Sequence, residues 1–451
     1  MLHNDFSQKK IMILGFGVEG RSAIRFLLSK NAQLTVYDTK SEVEFDIQEI
    51  NDLKQKGVEF VFESLPDLNT YDLIVRSPGF PFTHPQLINI PKDKITSVTK
   101  LFFDLCPAQI IGVTGTKGKG TTSSLIYEIL KESGKDVYLG GNIGTPALDF
   151  LDKLSMGSIV VLELSSFQLI DLHKSPHIGV MLMVTSEHLD YHKDVYEYVD
   201  AKRNLIRFQT ENDYAVLNKD YPASSESDIH TDGKLFFVSR EGEVDQGCFI
   251  KEDTVVIRQN GKDTEIIKTK DLLLPGKHNW ENVCAATMVT TLAGVQKKDI
   301  VTVLKSFKGL EHRLELVRTV KGVKYYDDSF STTPETAEAA IEAFEDPEIL
   351  ILGGSSKNSD FTRLGEVISK QENIKAIIGV GSEWSRIKDQ IKDWHFQIIE
   401  GLNTMDEIVE KASDIGDTGD VVLLSPACAS FDMFKDYKDR GNQFKNSVNN
   451  L

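Results

Sequence analysis

Residues 109–122 read QIIGVTGTKGKGTT, an apolar run followed by closely spaced glycines and two threonines. The apolar run predicts a buried strand, and the amphipathic pattern that follows predicts a helix over residues 121–133. Between them lies a glycine-rich loop that contains Lys119. A strand, such a loop and a helix N-terminus offer backbone N–H groups and positive charge to phosphate oxygens. The stretch therefore predicts a triphosphate-binding loop in an α/β domain.

The spacing of this loop departs from the strict G-x-x-x-x-G-K-[ST] pattern. Val113 and Gly120 stand where that pattern places a glycine and a hydroxyl residue. A hydroxyl ligand for Mg²⁺ would therefore have to come from Thr121 or Thr122. A flexible basic turn is the alternative for a glycine-rich loop, but the order of strand, loop and helix favours phosphate binding.

Two further apolar stretches are followed by residues that could bind a phosphate group or a metal ion. Residues 160–164 carry Glu163, and residues 178–184 lead through Thr185 to His188. Ligands in open α/β sheets bind beyond the carboxyl ends of strands, and Mg²⁺ takes carboxylate oxygens. Considered alone, Glu163 also fits a solvated acid and His188 a structural histidine. Their positions after buried strands predict ligands of a phosphate or metal site.

A second glycine motif lies near the start of the chain. Residues 15–20 read GFGVEG, with G-x-G-x-x-G spacing, between a predicted strand over 10–14 and a predicted helix over 20–28. Asp38 follows the next predicted strand, and a later strand ends at residues 76–79, RSPG. The pattern predicts a nucleotide diphosphate at a helix N-terminus, although it does not separate a dinucleotide from another nucleotide. A tight turn that binds no ligand is the alternative.

Alternating strands and helices begin anew at three places along the chain, once in each expected domain. The third start contains predicted strands at 323–326, 348–352, 376–380, 397–399 and 421–424, which indicates another parallel, doubly wound sheet. Residues 211–270 differ, since short alternating runs predict a small β-rich part within the middle domain. The expected domains are residues 1–98, 99–309 and 310–451.

Composition limits the class of partner. The 451 residues include 51 Lys and Arg against 68 Asp and Glu, a formal net charge of -17, which opposes binding to a nucleic-acid backbone. An anionic ligand must then be held by local groups. The first residues do not resemble a signal peptide, and no apolar run reaches the about 18 residues that a membrane span needs. We expect a cytoplasmic protein without nucleic-acid or membrane partners.

The motifs taken together resemble one family along nearly the whole chain. Besides the two glycine motifs they include GNIG at 141–144, ELSSFQ at 163–168, EH at 187–188, AK at 201–202, GKHN at 276–279 with Asn282, GLEHR at 309–313, DS at 328–329, the segment 424–434 and RG at 440–441. In this order and spacing they resemble the ATP-dependent Mur ligases, above all the D-glutamate-adding branch. The resemblance implies a Rossmann-like first domain, a central P-loop ATPase-type domain and a Rossmann-like last domain.

The resemblance also implies which residues bind each substrate. The first domain would bind the UDP part of the substrate, with help from the central domain for the sugar, through Val18, Glu19, Asp38, Thr39, Ser77, Gly79 and Asn142. ATP would be bound by Gly115, Thr116, Lys117, Gly118, Lys119, Gly120, Thr121 and Thr122, together with Asn279, Asn282, Arg313 and Asp328. Lys119, Glu163, His188 and Lys202 are the expected catalytic residues.

Magnesium and the amino acid have their own implied residues. Thr121, Glu163, His188 and a carbamylated Lys202 would serve the magnesium sites, since a carbamate is an oxygen anion suited to a hard cation. A solvated helix lysine is the alternative for Lys202. Lys357, Ser430 and Phe431 would receive the amino acid. SPACASFD at 425–432 resembles the D-glutamate-adding branch, whereas the D-N-P-R sequence usual in the diamino-acid branch is absent.

The implied activity is ATP-dependent addition of D-glutamate to UDP-N-acetylmuramoyl-L-alanine through an acyl phosphate, by a monomer that uses Mg²⁺. Another Mur ligase, or a folylpolyglutamate synthase-like ligase with a different amino acid or acceptor, is the alternative. A nicotinamide dehydrogenase would leave the phosphate loop unexplained, and an ATP-driven switch would leave the first motif unexplained.

Five positions depart from the common family pattern. Lys117 replaces a usual Asn, Gly120 a usual Ser or Thr, and Glu187 a usual Asp, while Thr333 replaces a usual Asn. Phe330 replaces a usual Lys and so removes a positive charge near the expected nucleotide.

Overall fold

Strands and helices alternate along the described chain, which comprises residues 5–185, 191–356 and 359–451 of a computed structural model. The strands form three sheets of five, nine and six members, in agreement with the predicted α/β class. By its internal contacts the chain divides into two compact units, Met1–Ile267 with Glu281–Val303 and Lys268–Trp280 with Leu304–Leu451. In the described residues no helix combines the length and the apolar character that crossing a membrane requires.

The first sheet has the strand order β3-β2-β1-β4-β5, and all of its neighbours are parallel. Its elements are β1 Lys10–Leu14, α1 Val18–Ser29, β2 Gln33–Asp38, α2 Ile47–Gln55, β3 Glu59–Phe62, β4 Leu73–Arg76, α3 Pro85–Ile88, β5 Ile95–Ser97 and α4 Val98–Leu105. The turn from β1 into α1 is tight, because a Cβ on Gly20 would lie 1.9 Å from the carbonyl oxygen of Gly15. Only glycine fits there, which explains the third glycine of the motif.

The central sheet has the order β14-β13-β12-β11-β10-β9-β6-β8-β7. Its elements are β6 Gln109–Thr114, α5 Lys119–Glu132, β7 Val137–Gly141, β8 Ile159–Glu163, α6 Ser166–Leu169, β9 Ile178–Met181, α7 Val195–Arg207, β10 Tyr214–Asn218, α8 Pro222–Ser225, β11 Lys234–Ser239, β12 Gly247–Lys251, β13 Thr254–Gln259, β14 Lys262–Lys268, α9 His278–Leu292 and α10 Lys297–Ser306. The strand β6 that feeds the glycine loop lies between β8 and β9. The strands of the β-rich part extend this same sheet.

The third sheet has the order β15-β16-β20-β17-β18-β19. Its elements are β15 Glu315–Val320, β16 Val323–Asp327, α11 Pro334–Ile341, β17 Glu348–Gly353, α12 Thr362–Lys370, β18 Ile374–Val380, α13 Trp384–Lys388, β19 Gln397–Ile399, α14 Met405–Ile415, β20 Val421–Leu424 and α15 Tyr437–Asn449. The five predicted strands are present and parallel. The antiparallel edge strand β15 is an addition that the sequence pattern did not predict.

Packing differs between the two units. In the first unit one apolar cluster contains Ile11 and Val75 of the first sheet together with Val160 and Met181 of the central sheet. In the second unit separate apolar clusters cover the two faces of the third sheet, with Leu350 on one face and Ile351 on the other. Continuous apolar runs are expected for parallel strands that are buried on both faces.

Candidate functional site

The glycine loop joins β6 to α5 at the carboxyl edge of the central sheet. Gly118 precedes the helix with φ of 86°, and a Cβ there would lie 2.3 Å from Oδ1 of Asn282. A side chain would therefore clash and strain the backbone. This left-handed residue also lets the helix begin at Lys119, two residues earlier than predicted.

Lys119 lies directly over this loop. Its Nζ donates to the carbonyl oxygens of Gly115 and Thr116, each at 3.1 Å. The ammonium group is thus placed where phosphate oxygens would need positive charge, next to the N-terminus of a 14-residue helix. Lys117 is exposed, whereas Gly120 and Thr122 are buried and Thr121 is partly exposed.

Thr116 serves the loop's own structure. Its hydroxyl lies 2.9 Å from the hydroxyl of Tyr198 and 3.2 Å from the carbonyl oxygen of Thr185, and it accepts from the Thr185 N–H at 3.0 Å. These contacts fix the loop against α7 and against the residues that follow β9. The Thr116 side chain therefore stabilises the loop, and so does its backbone N–H, which donates to the Met183 carbonyl oxygen at 2.7 Å.

Glu163 ends β8 beside the glycine loop. Residues Val113 and Glu163 are paired in register between β6 and β8, and Glu163 is buried. Its Oε1 accepts from Nδ2 of Asn142 at 3.1 Å, and the Asn142 N–H donates to the Glu163 carbonyl oxygen at 2.9 Å. The structure thus brings the two predicted residues together, with Asn142 exposed at the edge of the site.

Lys202 reaches the same loop from α7. Its Nζ donates to the Gly115 carbonyl oxygen at 2.9 Å and lies 3.5 Å from Oγ1 of Thr114. The amine is also 4.6 Å from the ring centroid of Tyr198, and the residue is only 2% exposed. A solvated surface lysine is therefore not what the structure shows, and this alternative is wrong.

The donor set beside the loop fits Mg²⁺. Glu163 offers a carboxylate oxygen and Thr121 a hydroxyl, which are the hard oxygen ligands that this cation prefers. His188, the third expected ligand, lies outside the described residues, as do its neighbour Glu187 and the amino-acid residue Lys357.

Two asparagines that were expected to bind ATP lie on the first turns of α9. Oδ1 of Asn282 accepts from the hydroxyl of Thr122 at 3.2 Å, which ties α9 to α5. Nδ2 of Asn279 donates to the carbonyl oxygen of Pro275 at 2.6 Å. Both residues are buried, so the Asn282 amide fixes α9 against the helix of the glycine loop, and the Asn279 amide fixes the turn that precedes α9.

The UDP residues of the prediction gather at the carboxyl edge of the first sheet, after β1, β2 and β4. Oδ2 of Asp38 accepts from the N–H of Phe16 at 2.7 Å, and the Ser77 hydroxyl donates to the Gly15 carbonyl oxygen at 3.2 Å. Both contacts hold the turn before α1. Of the predicted UDP residues on this sheet, Val18, Thr39 and Gly79 remain exposed.

Glu19 differs from its neighbours because its carboxyl group is buried. Oε1 accepts from Nε2 of Gln168 at 2.5 Å, whereas Oε2 is buried without a hydrogen bond from any described residue. Burial raises the pKa of Glu19 to about 7, despite the opposing effects of Gln168 and the Arg76 guanidinium. This carboxyl group changes charge near neutral pH at the N-terminus of α1.

Arg76 and Gln168 connect the first sheet to the central one, a role that sequence reasoning missed. Nη2 of Arg76 lies 3.1 Å from Oδ1 of Asp171, and both side chains are buried. Gln168 also accepts from the Ser165 N–H at 2.8 Å, just after Glu163. An arginine at a strand end was visible in the sequence, but its partner lies 95 positions away.

In the second unit, Asp328 lies directly after β16. Its Oδ2 accepts from the Ser425 hydroxyl at 2.7 Å and its Oδ1 from the Leu314 N–H at 3.1 Å. Burial, together with the neighbouring Asp327, raises the pKa of Asp328 to about 7. Arg313, the other ATP residue predicted here, lies over the ring of Phe330.

Ser430 and Phe431 follow β20 on the same edge of the third sheet. Ser430 is buried and Phe431 is 72% exposed. The Phe431 N–H donates to the hydroxyl of Ser355 at 3.0 Å, and the Ser355 N–H donates to the Ala429 carbonyl oxygen at 2.8 Å. The segment that leads to Lys357 therefore starts beside the loop that contains Ser430.

Two buried residues that fix this edge were quoted only as parts of motifs. Arg440 donates to the carbonyl oxygens of Ser329, at 2.9 Å, and Cys428, at 3.1 Å, and so connects the ends of β16 and β20. His312 lies 2.7 Å from Oδ2 of Asp327 through Nδ1. A single sequence does not indicate that Arg440 is buried against backbone carbonyl oxygens or that His312 is buried against a carboxylate, because both contacts form only in the tertiary structure.

Family models match three segments, namely the N-terminal domain of MurD-like Mur ligases at residues 9–99, the Mur ligase middle domain at 113–290 and the Mur ligase glutamate ligase domain at 312–428. The chain is 38% identical to the UDP-N-acetylmuramoylalanine--D-glutamate ligase of Acetivibrio thermocellus, covering 99% of this chain and 98% of that protein. The ligase of the same name from Ruminiclostridium cellulolyticum is 37% identical, with the same coverage.

Solved structures share the fold at lower identity. The UDP-N-acetylmuramate-alanine ligase of Thermotoga maritima has a TM-score of 0.58 at 17% identity, covering 98% of this chain and all of that one. The UDP-N-acetylmuramoylalanyl-D-glutamyl-2,6-diaminopimelate--D-alanyl-D-alanyl ligase of Acinetobacter baumannii has a TM-score of 0.59 at 13% identity, covering 92% and 90%. These likenesses show the three-domain α/β fold.

Proposed function

The chain belongs to the Mur ligase family, and we propose that it joins D-glutamate to UDP-N-acetylmuramoyl-L-alanine in peptidoglycan precursor synthesis. The observation that carries the choice of branch is the 38% identity, over 99% of the chain, to a D-glutamate ligase. ATP-dependent ligation is the activity of this family, and the alternative acceptors and amino acids are not favoured. We assign it a monomeric state and a cytoplasmic location.

The proposed reaction activates a carboxylate. A carboxylate oxygen of the L-alanyl group attacks the γ-phosphorus of ATP, the bond to the β–γ bridging oxygen breaks, and ADP leaves. The amine of D-glutamate then attacks the acyl carbon, phosphate leaves with the transferred oxygen, and the amine loses a proton to form the amide. Each step develops or moves negative charge on phosphate oxygens, so fixed positive groups aid it.

The glycine loop would bind the triphosphate. Lys119 carries its ammonium group over Gly115 and Thr116, and the first N–H groups of α5 face the same region as part of the helix N-terminus. Thr121 and Glu163 would hold Mg²⁺, which when bound supplies positive charge to the phosphate groups. Asn279, Asn282, Arg313 and Asp328 are assigned to the rest of ATP by family resemblance.

Lys202 is the proposed carbamate. Its amine lies among polar atoms of the loop at 2% exposure, where an ammonium group would repel a nearby divalent cation. Carbamylation would replace that positive charge by an oxygen anion suited to the cation. The proposal also assigns His188 to magnesium.

The acceptor and the amino acid occupy the remaining assigned residues. We assign the UDP part to the turn before α1 with Val18, Glu19, Asp38, Thr39, Ser77 and Gly79, and the sugar to Asn142. The amino acid is assigned to Lys357, Ser430 and Phe431, which would provide an ammonium group, a polar donor and an apolar wall. The expected division into domains is 1–98, 99–309 and 310–451.

A panel of amino acids tests the proposal. The purified chain is given ATP, Mg²⁺ and UDP-N-acetylmuramoyl-L-alanine with D-glutamate, L-glutamate, L-alanine, L-lysine or meso-diaminopimelate, and the amide product is identified by mass. D-Glutamate should be preferred by at least about 100-fold in kcat/KM. Preference for a diamino acid or for L-alanine would show that the branch is wrong while the family stands.

A further inference from the structure

Phe330 occupies a position at which the family resemblance leads us to expect lysine. It follows Asp328 and Ser329 directly beyond β16 and remains 38% exposed. An aromatic ring supplies no net charge, so a direct ion pair with a nucleotide phosphate is not available from this residue. The surroundings of the ring indicate a different role.

The ring of Phe330 lies against the guanidinium group of Arg313. Cζ of Arg313 is 4.0 Å from the ring centroid, well within the about 6 Å that defines a cation–π contact. Arginine stacks on aromatic faces readily because its charged group is planar and weakly hydrated. The guanidinium therefore has a preferred position against the ring.

The ring of Phe330 packs against one other ring, and the Phe330 backbone is held by a hydrogen bond. Its centroid lies 5.1 Å from that of Tyr437, with the ring planes at 87°. Tyr437 in turn packs edge-on against His312 at 6.0 Å. The Phe330 N–H donates to the His312 carbonyl oxygen at 2.9 Å, immediately before Arg313 in the chain. This hydrogen bond thus connects the chain next to Arg313 to Phe330, whose ring contacts the Arg313 side chain.

We propose that Phe330 is a positioning residue that stacks on Arg313 and holds its guanidinium group ready for the phosphate or ribose oxygens of ATP. The inference rests on the proposed assignment of Arg313 to ATP. Arginine has many side-chain rotamers, and restricting them before binding lowers the entropy cost of the contact with the nucleotide.

ATP affinity, measured by calorimetry on the full chain, tests this role. Phe330→Leu keeps an apolar side chain of similar size but removes the ring, and we expect it to weaken ATP binding about two- to fivefold, the range of a partly exposed cation–π contact. Phe330→Tyr restores the ring and should bind within about twofold of the original. Trp394→Leu, which removes another partly exposed ring of the same unit, is the matched control and should leave affinity unchanged.

A double-mutant cycle separates the possible outcomes. In an Arg313→Ala background, Phe330→Leu should cause no further loss of ATP affinity, and the KM for D-glutamate should not change in either single variant. If Arg313→Ala weakens binding but Phe330→Leu does not, or if the two losses add, Phe330 does not act through Arg313. If Arg313→Ala itself leaves ATP affinity unchanged, the assignment of Arg313 in the proposed function is wrong. Melting temperatures confirm that each variant is folded.

Discussion

Lys119 places an ammonium group directly over the glycine loop, within 3.1 Å of two loop carbonyl oxygens. Lys119→Ala should lower kcat/KM for ligation at least about 100-fold, because a fixed charge on the transferring phosphoryl group stabilises the transition state by several kcal/mol. The fold should persist, because the buried apolar residues of α5 are unchanged. Lys131→Ala, a lysine in the last turn of the same helix, is the control. Activity near that of the original protein would remove the phosphate-loop assignment.

Lys202 tests the carbamate hypothesis. Lys202→Ala should lose activity and recover part of it in added acetate or formate, since a small carboxylate can occupy the vacated space and restore oxygen ligands. Chloride at the same concentration is the control and should not restore activity. Full activity of Lys202→Ala, or no recovery of activity with either acetate or formate, would contradict the hypothesis.

Glu19 predicts a pH dependence of acceptor binding. With a pKa near 7 the carboxyl group is neutral at pH 6 and charged at pH 8, where it would repel a diphosphate at the start of α1. The KM for the UDP substrate should therefore rise about three- to tenfold between these pH values. Glu19→Gln should flatten the profile, because the amide stays neutral throughout. An unchanged profile in that variant would show that Glu19 does not face the diphosphate.

Local motifs can identify candidate residues when the evidence lies in the residues next to them in the sequence. Lys119 and Glu163 could be proposed from the sequence, since Lys119 lies in the glycine loop that follows one apolar run and Glu163 lies at the end of another. The contact of Glu19 with Gln168 could not, because the partners are 149 positions apart. Phe330 was recognised only as a missing charge, and its stacking on Arg313 depends on how the two segments fold together.

At the scale of elements, β17 begins with a buried acid. Glu348 is fully buried, its Oε1 accepts from Nδ2 of Asn373 at 3.1 Å, and burial raises its pKa to about 9. The native state then holds a proton that the unfolded chain releases above about pH 4.5. The free energy of unfolding therefore falls as pH rises from about 4.5 towards about 9.

Glu348→Gln removes this titration and provides a melting test. We expect the variant to be more stable at pH 8 by about 1 to 3 kcal/mol and to show a weaker decline in melting temperature between pH 6 and pH 9. Glu372→Gln, at an exposed acid next to Asn373, is the control and should keep the original decline. A variant that melts in parallel with the original protein would contradict the account of β17.

The prediction of elements succeeded where apolar runs are continuous. The strands predicted at 397–399 and 421–424 have those bounds in the structure. β15 was missed because its sequence, ELVRTV, mixes charged and apolar residues at a half-exposed edge. The strand predicted over 178–184 ends at Met181, since the residues that follow turn towards the glycine loop and Thr116.

At the scale of the whole molecule, the sequence indicated three parallel sheets because the pattern of strands and helices starts three times. That pattern does not indicate which side chains join the first two sheets. The buried pair of Arg76 and Asp171 and a shared apolar cluster place both sheets in one compact unit. Removing one partner of such a pair typically costs about 3 to 5 kcal/mol.

The central claim is that ATP activates the acceptor carboxylate before the amide forms. It is tested by ligation of D-glutamate to UDP-N-acetylmuramoyl-L-alanine with ¹⁸O in the L-alanyl carboxylate, followed by mass analysis of the released phosphate. An acyl phosphate requires one carboxylate oxygen to leave with phosphate, so each phosphate released with product should carry one ¹⁸O. Amide formed with unlabelled phosphate, or phosphate released without amide, would contradict the account.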